Sequence, residues 1–319
     1  MNSQPGDTKD RRETRGLALG VLGVLIFSLS LPATKAAVPV FGAWTVGIGR
    51  AVIAAALAGL VLAATRTRLP QPSLRRSLLV VAGGVVLGFP LFTALALQYV
   101  PASRGAIVVG VLPAATAAVA AIRHGERPSL RFWLAAVAGL ATVVVFAVLT
   151  GSGGRPEPAD GLLLLAVASA AVGYAEGGVV SSQIGGWQTI SWALVFALPV
   201  TLPVTIAALA VTDIAEITTK AVLGFGYVAV FSMFLGFFAW YAGMGRAGVA
   251  RVSQIQLAQP VLTLVWASVL LDESVTFGAI LAATGVLLSI VATRRAPIRP
   301  SSASLPIDSP VHSQAQNAT

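Results

Sequence analysis

The segment RGAIVVGVLPAAT, residues 104–116, returns 147 positions later as RVSQIQLAQPVLT, residues 251–263, with arginine, proline and threonine in register. Thirteen residues beyond each proline, Pro113 and Pro260, stands a glutamate, Glu126 and Glu273. At the same offset Phe27 falls on Tyr174, and Trp44 meets Trp192 once a gap of one is allowed. The chain is therefore two copies of one unit, and the nature of that unit decides the fold.

Both copies are apolar throughout. Hydrophobic residues make up 56% of the 319 and charged residues 10%, against about 45–50% and about 25% in ordinary globular chains. The mean hydropathy is +0.85. Too few charges remain to cover a soluble surface. Apolar runs of about 20 residues recur, each long enough to cross the hydrocarbon of a bilayer. Ten spans are expected, at 17–37, 44–64, 77–99, 103–122, 130–150, 161–182, 188–211, 219–243, 249–271 and 275–293. The runs are continuously apolar and do not alternate, so they read as helices and not as barrel strands. The expected fold is an all-α polytopic membrane protein. The first run follows Lys9, Arg11, Arg12 and Arg15 as a signal peptide would, but it lacks a cleavage pattern and nine further spans follow.

Basic residues orient the chain. Sixteen of the 21 fall in the N-terminal tail, the 2–3, 4–5 and 8–9 loops and the C-terminal tail. Lys35, Arg104, Arg155 and Lys220 fall on the other side, and Arg50 lies inside the second span. The positive-inside rule then puts both termini in the cytoplasm. The net charge of +9 needs no nucleic-acid partner to explain it. Cysteine is absent, and the two histidines, His124 and His312, lie in a loop and the tail. Thiolate chemistry is excluded, and no metal, cofactor or catalytic group is expected.

Five spans per copy is an odd number, so the second copy must run through the membrane opposite to the first. The expected division is a disordered tail at 1–13, repeat 1 at 14–150, a linker at 151–160, repeat 2 at 161–294 and a disordered tail at 295–319. Ten helices arranged as two inverted five-helix repeats form the scaffold of many secondary transporters, with a substrate site near the midplane. An intramembrane enzyme needs a nucleophile–base pair at depth, and no histidine lies in any span. A channel or receptor is the remaining alternative; no polar pore ring is visible.

The paired prolines, the glutamate ending each fourth helix, Gly139 and Gly285 in the fifth helices and Arg50 early in the second resemble the EamA domain pair of the drug/metabolite transporter superfamily. The likeness covers residues 17–293. It implies an inner-membrane carrier of small metabolites, amino acids or drug-like compounds, often moved outward. The second copy departs from it, with Leu198 where an arginine would match Arg50.

Within the spans Glu176 is the outstanding charge, since an ionised side chain at the bilayer centre costs at least about 2.5 kcal/mol. It lies roughly 22 Å from the outer end of the sixth span at ~1.5 Å per residue. It is a candidate for binding a substrate ammonium or a coupled proton, with a helix–helix hydrogen bond or an interfacial position as the plain alternative. Tyr174 beside it and Ser28 in the first span are candidate cavity residues. Gln256 and Gln259 share a helix face before Pro260, and the two prolines are expected to free the carbonyls of Val109 and Gln256 for substrate. Arg50, Glu126 and Glu273 read as structural or interfacial charges; Arg50 is close enough to the end to snorkel, or is an intramembrane partner for a carbonyl or carboxylate. Trp240 and Tyr241 could stack on a substrate, though an interfacial belt is the more usual place for such rings, and Gly84/Gly88 and Gly173/Gly177 read as packing contacts. The expected partners are a small-molecule substrate and the lipid bilayer. The sequence sets no oligomeric state.

Overall fold

The computed structural model describes residues 5–123, 127–150, 157–214, 216–247, 252, 255–295 and 298–299. The described chain is helical almost throughout, apart from a two-residue antiparallel pairing of Arg127–Pro128 with Ile298–Arg299. We number its rods α1 (Glu13–Phe41), α2 (Thr45–Ala64), α3 (Pro72–Ala96), α4 (Ala102–Arg123), α5 (Leu130–Thr150), α6 (Pro158–Ile184), α7 (Gly186–Val211), α8 (Thr219–Ala247), α9 (Gln259–Leu271) and α10 (Phe277–Arg295). Seven of these, α1–α4 and α6–α8, are long and apolar enough to cross a membrane. The described stretches Leu130–Phe146, Gln259–Leu271 and Phe277–Ser289 are shorter apolar helices.

The first helix begins at Pro5, so residues 5–13 are helical where a disordered tail was expected. The sixth helix begins at Pro158, inside the expected linker. Proline suits that first position because its missing N–H would have no intrahelical partner there. Glu126, Arg251 and the tail beyond 300 lie outside the described residues.

Helix pairing follows the duplication. α1 packs on α8, and its counterpart α6 packs on α3. α4 packs on α6 as α9 packs on α1; α2–α7, α4–α9 and α5–α10 each pair a helix with its own equivalent. The two halves thus enclose one another about a common centre. With loops reversing the chain at each end, the loops at 65–71 and 127–129 share the end of the bundle where α1 starts, the near end. Those at 42–44, 97–101, 212–214, 216–218 and 272–276 lie at the far end.

Without a hydrophobic drive between helices inside lipid, close approach depends on small residues. Where α3 crosses α6, a Cβ added to Gly84 would lie 2.9 Å from the Gly173 Cα. A Cβ on Gly177 would collide with the Tyr241 ring. Where α1 crosses α8, one on Gly243 would come within 2.8 Å of the Gly16 carbonyl oxygen. These glycines hold the two halves together, as their spacing suggested.

Three rods carry a stretch of wide π-helical turns: Thr45–Gly49, Ala82–Gly88 and Tyr227–Leu235. α1 is broken at Ser28–Leu29, and α4 between Val109 and Leu112. Each of these irregularities includes buried residues, among them Ser28, Val46, Val85, Val109 and Ser232. Insertions of this kind concentrate at functional sites because they turn side chains and free backbone groups toward one point.

Candidate functional site

A pocket of about 20 Å³ lies between the halves and includes Arg50, Phe27, Ser30, Tyr174, Ser232 and Phe237 in its wall. A second, of about 10 Å³, adjoins it; Leu31 and Gln259 line both, with Pro113, Pro260 and Gln256 in the second. Volumes of this size hold about one water each, so the site is contracted.

The wall is symmetric in sequence. Phe27 and Tyr174, Val85 and Ser232, Pro90 and Phe237 all line the larger pocket, and each pair is 147 residues apart. Val109 and Gln256, Pro113 and Pro260 repeat the pattern in the smaller one. Equivalent positions of the two copies therefore converge on one cavity, as a two-fold relation between them requires.

Sequence reasoning brought Tyr174, Gln256, Gln259, Pro113 and Pro260 to this place, and all five line it. Tyr174 packs its ring on Phe237 and Trp240, with centroids 6.1 and 5.8 Å apart. Gln256 donates to Gln259 at 3.4 Å, and its Oε1 is buried without a partner. The Gln256 carbonyl is not free for substrate: the Gln259 N–H closes a 3₁₀ turn onto it. A tightened turn is one way a chain accommodates proline without orphaning the carbonyl before it.

Ser28 lines neither pocket. Pro32 removes the N–H that would bond the Ser28 carbonyl four residues earlier, and that carbonyl instead accepts from Thr263 Oγ1 of α9 at 2.7 Å. Ser28 Oγ donates to Leu25 and accepts from Trp266 Nε1. Residue 179, the repeat counterpart of Pro32, is Val, so α6 runs on unbroken. Thr116, the counterpart of Thr263, accordingly has a buried hydroxyl without a partner.

Glu176 and Tyr174, two residues apart, are separated in space. Glu176 faces α4 and forms an ion pair of 2.6 Å with Arg123, the last residue of that helix. Its side chain is 12% exposed and that of Arg123 44%. The carboxylate belongs to the near end of the bundle, beyond the central pocket.

Of the two readings of Arg50 the interfacial one is corrected, and the other, an intramembrane partner for a carbonyl, matches its Nε 3.4 Å from the Gly47 oxygen. It does not snorkel: it is 2% exposed and faces the centre. Ala54 and Ala58, one and two turns on, are buried on the same face, whereas Ile53 and Leu60 are exposed. The stripe of small residues was the sequence signal for an inward face. Trp240 and Tyr241 are corrected likewise. Both are wholly buried and form no belt; Tyr241 donates to the Gly173 carbonyl and Trp240 lies against Phe27.

The far end is closed by charge. Glu273 reaches across the halves to accept from the N–H groups of Ala102 and Ser103, both at 2.8 Å, at the start of α4. A carboxylate there meets the positive end of the helix dipole and satisfies two donors. Arg104 holds Asp160 through Nε and Nη2 at 2.9 and 2.6 Å, with both side chains buried. Asp160 also completes a capping box with Glu157 at the start of α6. Lys35 donates to the carbonyls of Leu97 and Val100 at the end of α3.

Larger hollows lie elsewhere. Apolar grooves of about 560 and 530 Å³ run down the outside, one edged by Pro32, Lys220 and Tyr227, the other between α5 and α10. Lined by leucine, valine and alanine, they suit acyl chains and lack the convergent polar groups of a binding site.

A multi-helix bundle of two like halves, closed around a buried polar pocket, is the build of a membrane transporter. The profile of the EamA-like transporter family matches the chain twice, over residues 14–148 and 158–295, and the protein belongs to that family. It is 43% identical over 284 residues to "Uncharacterized transporter YdeK" of Bacillus subtilis (strain 168), covering 89% of this chain and 98% of that one. A solved structure described only as "Crystal structure of protein" shares the fold, with a TM-score of 0.60 at 19% identity. That likeness covers 87% of this chain and 97% of the other. Family and relative point to transport.

Proposed function

We propose that the protein is a secondary carrier that moves a small organic metabolite out of the cell by alternating access. In this reading all ten rods cross the inner membrane, the two five-helix halves have inverted topology, and both termini are cytoplasmic. The observation that carries it is the lining of one pocket by residues from equivalent positions of both halves. A site of that symmetry is reached from either face by two equivalent motions, each the mirror of the other. The polar contacts at the two ends are then its gates: Glu273 on the N-terminus of α4 outside, Glu176 with Arg123 inside.

Coupling follows from the inner contact. A proton on Glu176 removes the charge that Arg123 pairs with and frees α4 from α6, so protonation favours opening to the cytoplasm. Arg123, 44% exposed, can be hydrated when the charge opposite it is lost. Glu176→Gln is therefore expected to fold normally. In proteoliposomes the parent should show saturable flux that rises with an imposed pH gradient; the Gln variant should keep flux and lose the gradient response. Equal gradient dependence in both proteins would remove Glu176 from coupling. Absence of saturable flux in the parent would remove the carrier reading itself.

A further inference from the structure

The central pocket holds one charge with no counter-charge. Arg50 Nε makes a long contact of 3.4 Å with the Gly47 carbonyl, and its Nη2 is buried without any partner. Among the described residues no carboxylate lies within ion-pair distance of it. Glu157, Asp160 and Glu273 are engaged at the far end, Glu176 at the near end, and Asp213, Glu216 and Asp272 stand in or beside the far-end loops. Arginine does not deprotonate in proteins, and an ion left unpaired away from water is costly to fold. Chains that bury arginine ordinarily supply an acid with it; here none of the described acids does so.

Resting on the carrier reading above, we infer that the substrate supplies it: the transported molecule is an organic monocarboxylate whose carboxylate pairs with Arg50. The planar guanidinium matches a carboxylate in its two-pronged geometry. Ser30 and Ser232, whose hydroxyls bond each other across the halves at 2.7 Å, line the same wall and have capacity to spare for a second oxygen. Phe27, Phe89, Tyr174 and Phe237 line it too, with Leu31, Val85, Pro90 and Met233, a seat for an apolar or aromatic body. One positive charge is balanced by one negative charge. A phosphate monoester, carrying about −1.5 to −2 at neutral pH, would leave an excess in the same dry space. An amine would meet only repulsion. A zwitterionic amino acid would leave its ammonium without an acid to face, so it should bind less well than the acid lacking the amino group.

The test is binding to the purified full-length chain in detergent, by calorimetry, with three probes of one shape: 3-phenylpropionate, 3-phenylpropionamide and 3-phenylpropylamine. A panel of shorter and longer monocarboxylates, each with its amide, extends it to bodies of other size. The carboxylates should bind and the matched amide and amine should not. Arg50→Gln should weaken the carboxylate by about ten- to a hundredfold, the loss expected for a charged hydrogen-bonded contact. Should that variant fail to fold, Ser232→Asp keeps the arginine and gives it an acid from the same wall; carboxylate binding should again be lost. Amide or amine binding equal to that of the acid, or carboxylate binding unchanged in Arg50→Gln or Ser232→Asp, would overturn the assignment, as would no member of the panel outdoing its amide. Flux separates the two claims. Carboxylates that bind through Arg50 but never cross the proteoliposome membrane would end the carrier reading and leave the site standing. Saturable flux of a cation or neutral solute, indifferent to Arg50→Gln, would do the reverse.

Discussion

Arg104 and Glu273 hold the far end by different physics, and their variants should differ in kind. Arg104 is buried against Asp160, so removing the arginine leaves an uncompensated acid. Arg104→Met should lower stability by about 3–5 kcal/mol, read as a fall in melting temperature in detergent. A fall no larger than that of exposed Arg66→Met would show the pair to be incidental. Glu273 is a cap supplied by the opposite half; Glu273→Ala exposes two donors and should cost about 0.5–2 kcal/mol. Its larger effect should be on access, since the contact bridges the halves. At this scale the sequence was partly legible. Pro113, Pro260 and the two glutamines were found because identical or unusual residues mark them. Val85 with Ser232 and Pro90 with Phe237 were not, because the equivalent positions carry different residue types. For Arg50 the sequence admits two readings since its distance from the span's end permits snorkelling, while its direction is set by Ala54 and Ala58 turning toward the centre.

Among the elements, the break in α1 has a cause that can be tested within the chain. Pro32 orphans the Ser28 carbonyl, and Thr263 answers it from α9. Thr263→Val alone should cost about 1–3 kcal/mol, because a buried acceptor is left unmade. In a Pro32→Ala background the restored N–H can bond Ser28 within the helix, and the same valine should cost clearly less. Additive losses in the double-mutant cycle would show the two residues to be unconnected. The glycine crossings behave as packing does: Gly84→Val must force α3 off the Gly173 backbone, an overpacking worth about 1–3 kcal/mol. Helices and their order were readable because apolar runs of membrane length are hard to mistake. Their irregularities were not. π turns and the Ser28 break arise from contacts between distant segments, and hydropathy carries no trace of them.

For the molecule as a whole, duplication was the readable fact, and the proposed inversion rests on an odd number of spans in each copy. The offset of 147 that aligns two prolines on paper also places five residue pairs around one cavity. What hydropathy could not supply was the electrostatic character of that centre. Charge counts locate loops, whereas the meaning of a single buried arginine depends on which acids come near it. The chain has no cysteine, so spin labels can be placed without removing any. The most direct measurement is a pair of distance distributions by pulsed electron resonance in nanodiscs. One pair would be labelled at Gln98 and Ser274 at the far end, the other at Ile122 and Ser182 at the near end. The account predicts two populations, with the far end wide when the near end is narrow and the proportions shifting oppositely on adding substrate. A single fixed distance at both ends, or both ends widening together, would contradict it.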